Sequence, residues 1–301
     1  MATAPAIETR DLGKRYGSVV ALAGLTMTVR AGQVYGFLGP NGAGKTTAVK
    51  LLLGLARPSS GAGSVLGHAL GSREARRRIG YLPELFRYQS WLSAREVLLL
   101  HCELAGIARA RWGRDVDEVL DMVGLADRAR SRVGTFSKGM QQRLGLGVAL
   151  LGSPALVLLD EPTSALDPVG RHDVREIIRR LRERGTTVFL TSHLLTEVEQ
   201  VCDGVAIIDR GRVVAEGTLA DLLRASAVRL RIAGLTREAR AALGRYGELD
   251  DHGEGVLLVR GIEPERVPEL VADAVRAGAR VYSVEPQRES LEERFLRLLG
   301  Q

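Results

Sequence analysis

At 301 residues and 32.5 kDa the chain exceeds the usual single-domain size, which favours one large domain plus a small one. Its 45% hydrophobic and 26% charged residues exclude a disordered or collagen-like chain, and its two cysteines exclude a disulfide framework. The net charge of +6 is carried almost wholly by arginine, with lysine only at 14, 45, 50 and 138, and reads as a solvated surface rather than a nucleic-acid or anionic-membrane footprint.

The first residues, Met1 to Ala6, lack both a charged segment and an apolar core, so no secretory signal is expected and the chain is expected to stay in the cytosol. Cys102 and Cys202 lie in apolar stretches, as buried reduced thiols do. The longest nearly apolar run, Leu144 to Leu159, is broken by Gly147, Gly152, Ser153 and Pro154 and is shorter than the roughly 20 residues of a spanning helix. It reads as a helix end, a turn and a buried strand.

In chain order, Val34 to Leu38 reads as a short buried strand, followed by a glycine-rich loop and a mostly apolar helix through Ala48, Val49, Leu51, Leu52, Leu53 and Leu55. Roughly residues 84 to 150 hold three helical segments, Ser93 to Ala105, Arg111 to Val123 and Ser137 to Leu151, and no convincing strand. Ala155 to Leu159 and Val188 to Leu190 are further buried strands, with a charged helix from Val169 to Arg184 between them. The pattern is therefore α/β with parallel strands, split by a helical insertion.

After Thr218 the elements shorten: strand Val228 to Ile232, helix Arg237 to Leu243, strand Val256 to Val259, helix Pro264 to Ala277 and strand Val281 to Val284. They describe a small α+β appendage, closed by Leu291, Phe295, Leu298 and Leu299 at helical spacing. The expected boundary divides residues 1–220 from 221–301.

Gly39-Pro40-Asn41-Gly42-Ala43-Gly44-Lys45-Thr46 fits the phosphate-binding pattern G-x-x-x-x-G-K-[ST] between a strand and a helix. Glycines let consecutive backbone N–H groups curl around phosphate oxygens, and the helix start aims its positive end at the same anion. Lys45 adds a charge for the β- and γ-phosphates, and the Thr46 hydroxyl is placed to ligate Mg²⁺. The strand ending in Asp160-Glu161 supplies the complementary parts, Asp160 for the metal and Glu161 to orient and deprotonate the attacking water.

Phe136-Ser137-Lys138-Gly139-Met140-Gln141-Gln142-Arg143, placed before that strand, resembles the signature segment of ABC ATPases. The resemblance spans about residues 6 to 218. It implies a P-loop NTPase core of ABC type with an N-terminal antiparallel β-subdomain and an inserted helical subdomain, and a head-to-tail dimer around two Mg-ATP. In that dimer Ser137 and Gly139 would meet the nucleotide on the other subunit's P-loop, with Thr47 joining the P-loop set. Ser137 is a good N-cap, and the helix it starts offers free N–H groups to a γ-phosphate. Lys138 and Met140 depart from the family's usual glycine and glutamine.

Ser164-Ala165-Leu166-Asp167 resembles the loop at the dimer interface, His193 the γ-phosphate switch, and Tyr16 the aromatic that stacks on adenine. Glu84 stands where the family has glutamine and is expected near Mg²⁺ or its water. Phe86, Arg87, Tyr88 and Trp91 follow at the groove that receives a helix of a transmembrane permease subunit. The resemblance thus implies an ATPase peripheral to the cytoplasmic face of the membrane, working as a homodimer or with a related ATPase subunit. Leu82-Pro83-Glu84, the Ser137–Met140 variant and Ser290 to Phe295 resemble the branch that exports drugs, polysaccharides or lipids. An ABC-type ATPase acting on nucleic acid or the ribosome is the alternative, but its long coiled coil or tandem cassette is missing and no direct nucleic-acid contact is expected. A P-loop kinase or GTPase leaves the Ser137 segment and His193 without a role.

Overall fold

The computed structural model describes residues 4–164, 166–223, 225–288 and 290–298. Two compact units emerge, Met1–Thr218 and Leu219–Gln301.

The first unit opens with a long hairpin, β1 (Pro5–Tyr16) and β2 (Val19–Arg30), whose alternating buried residues mark a sheet with one face in the core. Next come β3 (Val34–Leu38), α1 (Lys45–Leu52), β4 (Ser60–Val65), β5 (His68–Ala69), α2 (Arg73–Arg76) and β6 (Ile79–Leu82). The helical segment contains α3 (Ala94–Leu104), α4 (Trp112–Met122) and α5 (Lys138–Leu150). The unit closes with β7 (Leu156–Asp160), α6 (Pro168–Glu183), β8 (Thr187–Ser192), α7 (Leu195–Val201), β9 (Gly204–Asp209) and β10 (Arg212–Thr218).

These strands form two sheets, an antiparallel one in the order β2-β1-β4-β5 and a central one in the order β10-β9-β3-β8-β7-β6. In the central sheet β9, β3, β8, β7 and β6 run parallel, and only the edge strand β10 is antiparallel. Every residue of β3, β7 and β8 is buried, which is why their sequences read as continuous apolar runs rather than alternating ones. Helix α1 and residues of both sheets share one core, where Phe189 packs against Tyr35 and Phe37 at ring-centroid distances of 6.1 and 5.4 Å.

Helix boundaries follow local chemistry. Ser93 and Glu96 form a reciprocal capping box before α3, Ser137 caps α5 through the Met140 amide, and Asp167 caps α6 with Pro168 in its first turn. The Glu96 carboxyl lies below its ordinary range because the Ser93 amide and hydroxyl donate to it. A carboxyl lowered by folding stabilises above its unfolded pKa and loses that contribution as pH falls through its folded one. Glu96→Gln is therefore expected to narrow the gap in melting temperature between neutral and acidic buffer; an unchanged gap would show that the box carries no charge effect.

Several strands differ from the expectations above. β4 and β5 are short or built largely of Ser and Gly, so they carry little branched or aromatic signal, whereas β9 carries one in the run Val205 to Ile208. Helix α1 stops at Leu52 instead of continuing to Leu55, because Gly54 turns the chain at φ +70°.

The second unit begins with α8 (Leu219–Leu222) and continues as β11 (Ala225–Ala233), α9 (Arg237–Leu243), β12 (Glu248–Asp251), β13 (Val256–Arg260), α10 (Val267–Arg276), β14 (Arg280–Arg288) and α11 (Leu291–Leu298). Its antiparallel sheet has the order β12-β13-β11-β14, so β11 to β14 make the βαββαβ arrangement of ferredoxin-like folds. Val228, Leu230 and Ile232 meet Leu243 of α9 and Leu270 of α10 in one core. The expected helix from Pro264 is a 3₁₀ turn, Pro264–Arg266, followed by α10, because Pro268 is tolerated only in a helix's first turn. Leu291 is buried, whereas Leu299, the last of the expected helical series, lies outside the described residues.

Cys102 and Cys202 are both buried and free, and burial pushes the Cys202 thiol well above its usual range. A raised pKa means less thiolate at neutral pH, so neither thiol is expected to react with Ellman's reagent until the chain is denatured, when two should titrate. Fast labelling of the native chain would contradict this packing. None of the described helices is long and apolar enough to cross a membrane.

Candidate nucleotide site

Because β3, β8, β7 and β6 are adjacent and parallel, their C-terminal ends deliver four loops to one edge of the sheet. That edge is where ligands bind in open α/β sheets. It brings together the glycine-rich loop after Leu38, His193 after Ser192, Asp160-Glu161, and Glu84 beyond Leu82. The resulting cleft of about 500 Å³ is lined by Pro40 to Gly42, Gly44 to Thr47, Glu84, Glu161 and His193. A second cavity, of about 420 Å³ and lined by Arg78, Asp115, Met122 and Arg184 among others, contains none of the motif residues.

The loop conformation demands its glycines. An added Cβ at Gly39 would sit 2.4 Å from the Ile208 carbonyl oxygen, and Gly44 caps α1 at φ +110° with an added Cβ 2.5 Å from the Ala21 carbonyl oxygen. Helix α1 has no side-chain cap and no acidic residue in its first turn, so its leading N–H groups are left for an anion. Ala43, also in the expected set, is buried; its amide donates to the Pro40 carbonyl and its own carbonyl accepts from Gly211.

Lys45 is nearly buried, and its Nζ donates to the Gly39 carbonyl at 2.7 Å and lies 3.5 Å from Glu161 Oε1. The other Glu161 oxygen, Oε2, is 2.7 Å from His193 Nδ1. An ionised carboxylate only accepts, so Nδ1 carries the hydrogen in this contact. Glu161 is thus held between a lysine and a histidine. Its backbone lies in the left-handed region at φ +53°, an uncommon conformation for a non-glycine residue and one that clusters at functional sites. Ser164 braces the turn by donating its hydroxyl to the Glu161 carbonyl.

Asp160 is buried at the end of β7, where Oδ1 accepts from the Thr191 hydroxyl at 2.6 Å. The Tyr81 phenol reports on the same region: burial first, then the charges of Asp160 and Glu84, push it up to about 12. Glu84 itself is exposed.

Of the expected residues, Gly39, Ala43 and Asp160 belong to the loops of the cleft without lining it, and Tyr16, Ser137 and Gly139 stand apart from it. Tyr16 ends β1 half-exposed under Lys14, while Val19, its hairpin partner, and Val20, which sequence reasoning gave no role, line the cleft with Ala21. Nothing in the sequence Gly17-Ser18-Val19-Val20 beyond a hairpin turn marks them for that place. Ser137 is exposed and Gly139 half-buried at the start of α5, and neither touches this chain's own cleft. An added Cβ at Gly139 would meet nothing closer than 3.9 Å, so the surface there is open. Phe86 packs over Gly145 and meets Tyr88 at a tilt, with 5.4 Å between ring centroids, whereas Leu85 and Trp91 project outward.

Comparison with known proteins defines the class. The ABC transporter family profile matches residues 22–164. The chain is 39% identical to an ABC transporter ATP-binding protein of Nostoc sp. over 98% of its length and 90% of that protein's. It is 38% identical to the daunorubicin/doxorubicin resistance ATP-binding protein of Streptomyces peucetius, over 98% of this chain and 92% of the other. A solved ATP-binding subunit of an ABC transporter superposes with a TM-score of 0.65 at 34% identity, covering 73% of this chain and 92% of that one. The chain belongs to the ATP-binding proteins of ABC transporters, a family that binds ATP and hydrolyses it to drive transport.

Proposed function

We propose that the chain powers export through a separate transmembrane permease, closing head-to-tail with a second ATP-binding subunit around two Mg-ATP. The observation that carries this is the Lys45–Glu161–His193 cluster facing the uncapped start of α1 in one cleft. Likeness to a drug-resistance ATP-binding protein over nearly the whole chain supports the export direction.

In this reading Gly39 to Thr47 cradle the phosphates, Lys45 moves from the Gly39 carbonyl to the β- and γ-phosphates, and Tyr16 with Val19 and Val20 receives the adenine. Glu161 takes a proton from the attacking water, and His193, hydrogen-bonded to it, senses the γ-phosphate. The donors present fit magnesium: the Thr46 hydroxyl and the Asp160 and Glu84 carboxylates are all hard oxygens. Among the described residues no cluster of three or more His, Cys, Asp or Glu forms a metal cage by itself, as suits an ion that keeps waters and phosphate oxygens. Bound magnesium would offset charge on the transferred phosphate.

The open, capped start of α5 at Ser137 and Gly139 suits contact with the nucleotide on another subunit. Leu85 and Trp91, exposed apolar side chains beside β6, suit the permease contact. We assign residues 1–220 to ATP binding, with the helical insertion at 84–150, and residues 221–301 to an accessory domain; the working location is the cytoplasmic membrane face.

Mg-ATP hydrolysis by the purified chain tests the reading. Lys45→Ala is expected to remove it, and a Lys45→Ala chain that turns over ATP at the parent rate would contradict the site.

A further inference from the structure

Thr191 has no role in the mechanism above, yet it is fully buried between the two catalytic-site carboxylate residues. It is the fifth residue of β8 and lies opposite Asp160 in the parallel register of β7 and β8. Its hydroxyl donates to Asp160 Oδ1 at 2.6 Å and accepts from the Glu161 amide at 3.1 Å. An amide N–H can only donate, so the single hydroxyl hydrogen is committed to Asp160 and the hydroxyl is oriented from both sides. The Thr191 carbonyl accepts from the same Glu161 amide at 3.2 Å. One residue of a neighbouring strand therefore fixes the Asp160 carboxylate and the left-handed turn that aims Glu161.

We propose that Thr191 is a positioning residue for ATP hydrolysis, its hydroxyl setting Asp160 toward magnesium and Glu161 toward the attacking water. The inference rests on the roles given above to Asp160 and Glu161. Its logic is that of a hydrogen-bond partner behind a metal ligand: the partner touches no reactant, but without it the ligand turns freely. Residues of this kind cost about 10- to 100-fold in metal affinity or activity when removed. Valine keeps the branched shape that a buried strand accepts and deletes only the hydroxyl, while serine keeps the hydroxyl and deletes only the methyl.

The test uses the full chain and two readouts, steady-state ATP hydrolysis and the affinity for ADP by calorimetry with and without Mg²⁺. Thr191→Val is expected to lower kcat at least about tenfold, to leave metal-free ADP affinity unchanged, and to shrink the tightening by Mg²⁺ several-fold. Thr191→Ser is expected to restore both. A Thr191→Val chain with parental kcat and Mg²⁺ response overturns the proposal, as does a Thr191→Ser chain as impaired as valine, which would assign the effect to packing of the methyl. Should the valine variant not fold, Thr191→Cys replaces it, with the same losses expected from its weak donor and full activity overturning the idea. Asp160→Asn and Glu161→Gln separate the two levels. If both hydrolyse ATP normally, the roles of the carboxylates have failed; if both are inactive while Thr191→Val is normal, the positioning inference alone has failed.

Discussion

Glu161→Gln is expected to bind ATP and to hydrolyse it at least about a hundredfold more slowly than the parent chain. Glutamine keeps the length of the side chain and its tolerance of φ +53° is no worse than that of glutamate, so the local backbone has no reason to move. What disappears is the base: an amide cannot take a proton from water. The Lys45 ammonium also loses the carboxylate 3.5 Å away, which leaves it freer to serve a phosphate and should hold or tighten nucleotide affinity. Single-turnover phosphate release and nucleotide binding measured on the same variant check both halves. Normal turnover would remove Glu161 from the chemistry; lost binding would show that it holds the loop together instead.

Phe189→Ala is expected to be the most damaging change away from the cleft, costing about 3–5 kcal/mol. The ring is fully buried, stacked with Tyr35 and tilted against Phe37, in the core shared by both sheets of the first unit. Against a total stability on the order of 5–15 kcal/mol, that loss is a large fraction. Phe189 also lies two residues before Thr191 on β8, so loosening it should disturb the strand that carries Thr191 and leads into His193. Urea denaturation should show a lower midpoint at unchanged slope. A midpoint within experimental error of the parent would mean that the core closes around the gap.

What was legible in the sequence was local. The glycine-rich loop, the strand ending in Asp160-Glu161 and the helix starts at Ser93, Ser137 and Asp167 each depend on a few consecutive residues, and the structure places them within a residue or two of the reading. The α+β character of the second unit was legible for the same reason, but its βαββαβ order was not, because β12 is the acidic stretch Glu248–Asp251, which is held by pairing with β13 rather than by its own propensity. The site was incomplete where it depends on proximity across the chain. Val19 and Val20 reach the cleft only because the β1–β2 hairpin folds beside the loop, and the bond from Thr191 to Asp160 exists only through the register of β7 and β8. Tyr16, named for its aromatic ring, stands next to those valines rather than in the wall itself. Ser137 and Gly139 lie at the start of α5, outside this chain's own cleft, because the ligand implied for them is a nucleotide on another subunit.

The central claim, that two such subunits close around shared ATP, is tested most directly by the solution mass of the Glu161→Gln chain, measured by light scattering with and without Mg-ATP. Blocking hydrolysis should trap the closed state, so the mass is expected to change from that of one 32.5 kDa chain to that of two when Mg-ATP is added, and to revert when Ser137 is replaced by arginine. A mass that stays at one chain while ATP is bound would contradict closure between copies of this subunit.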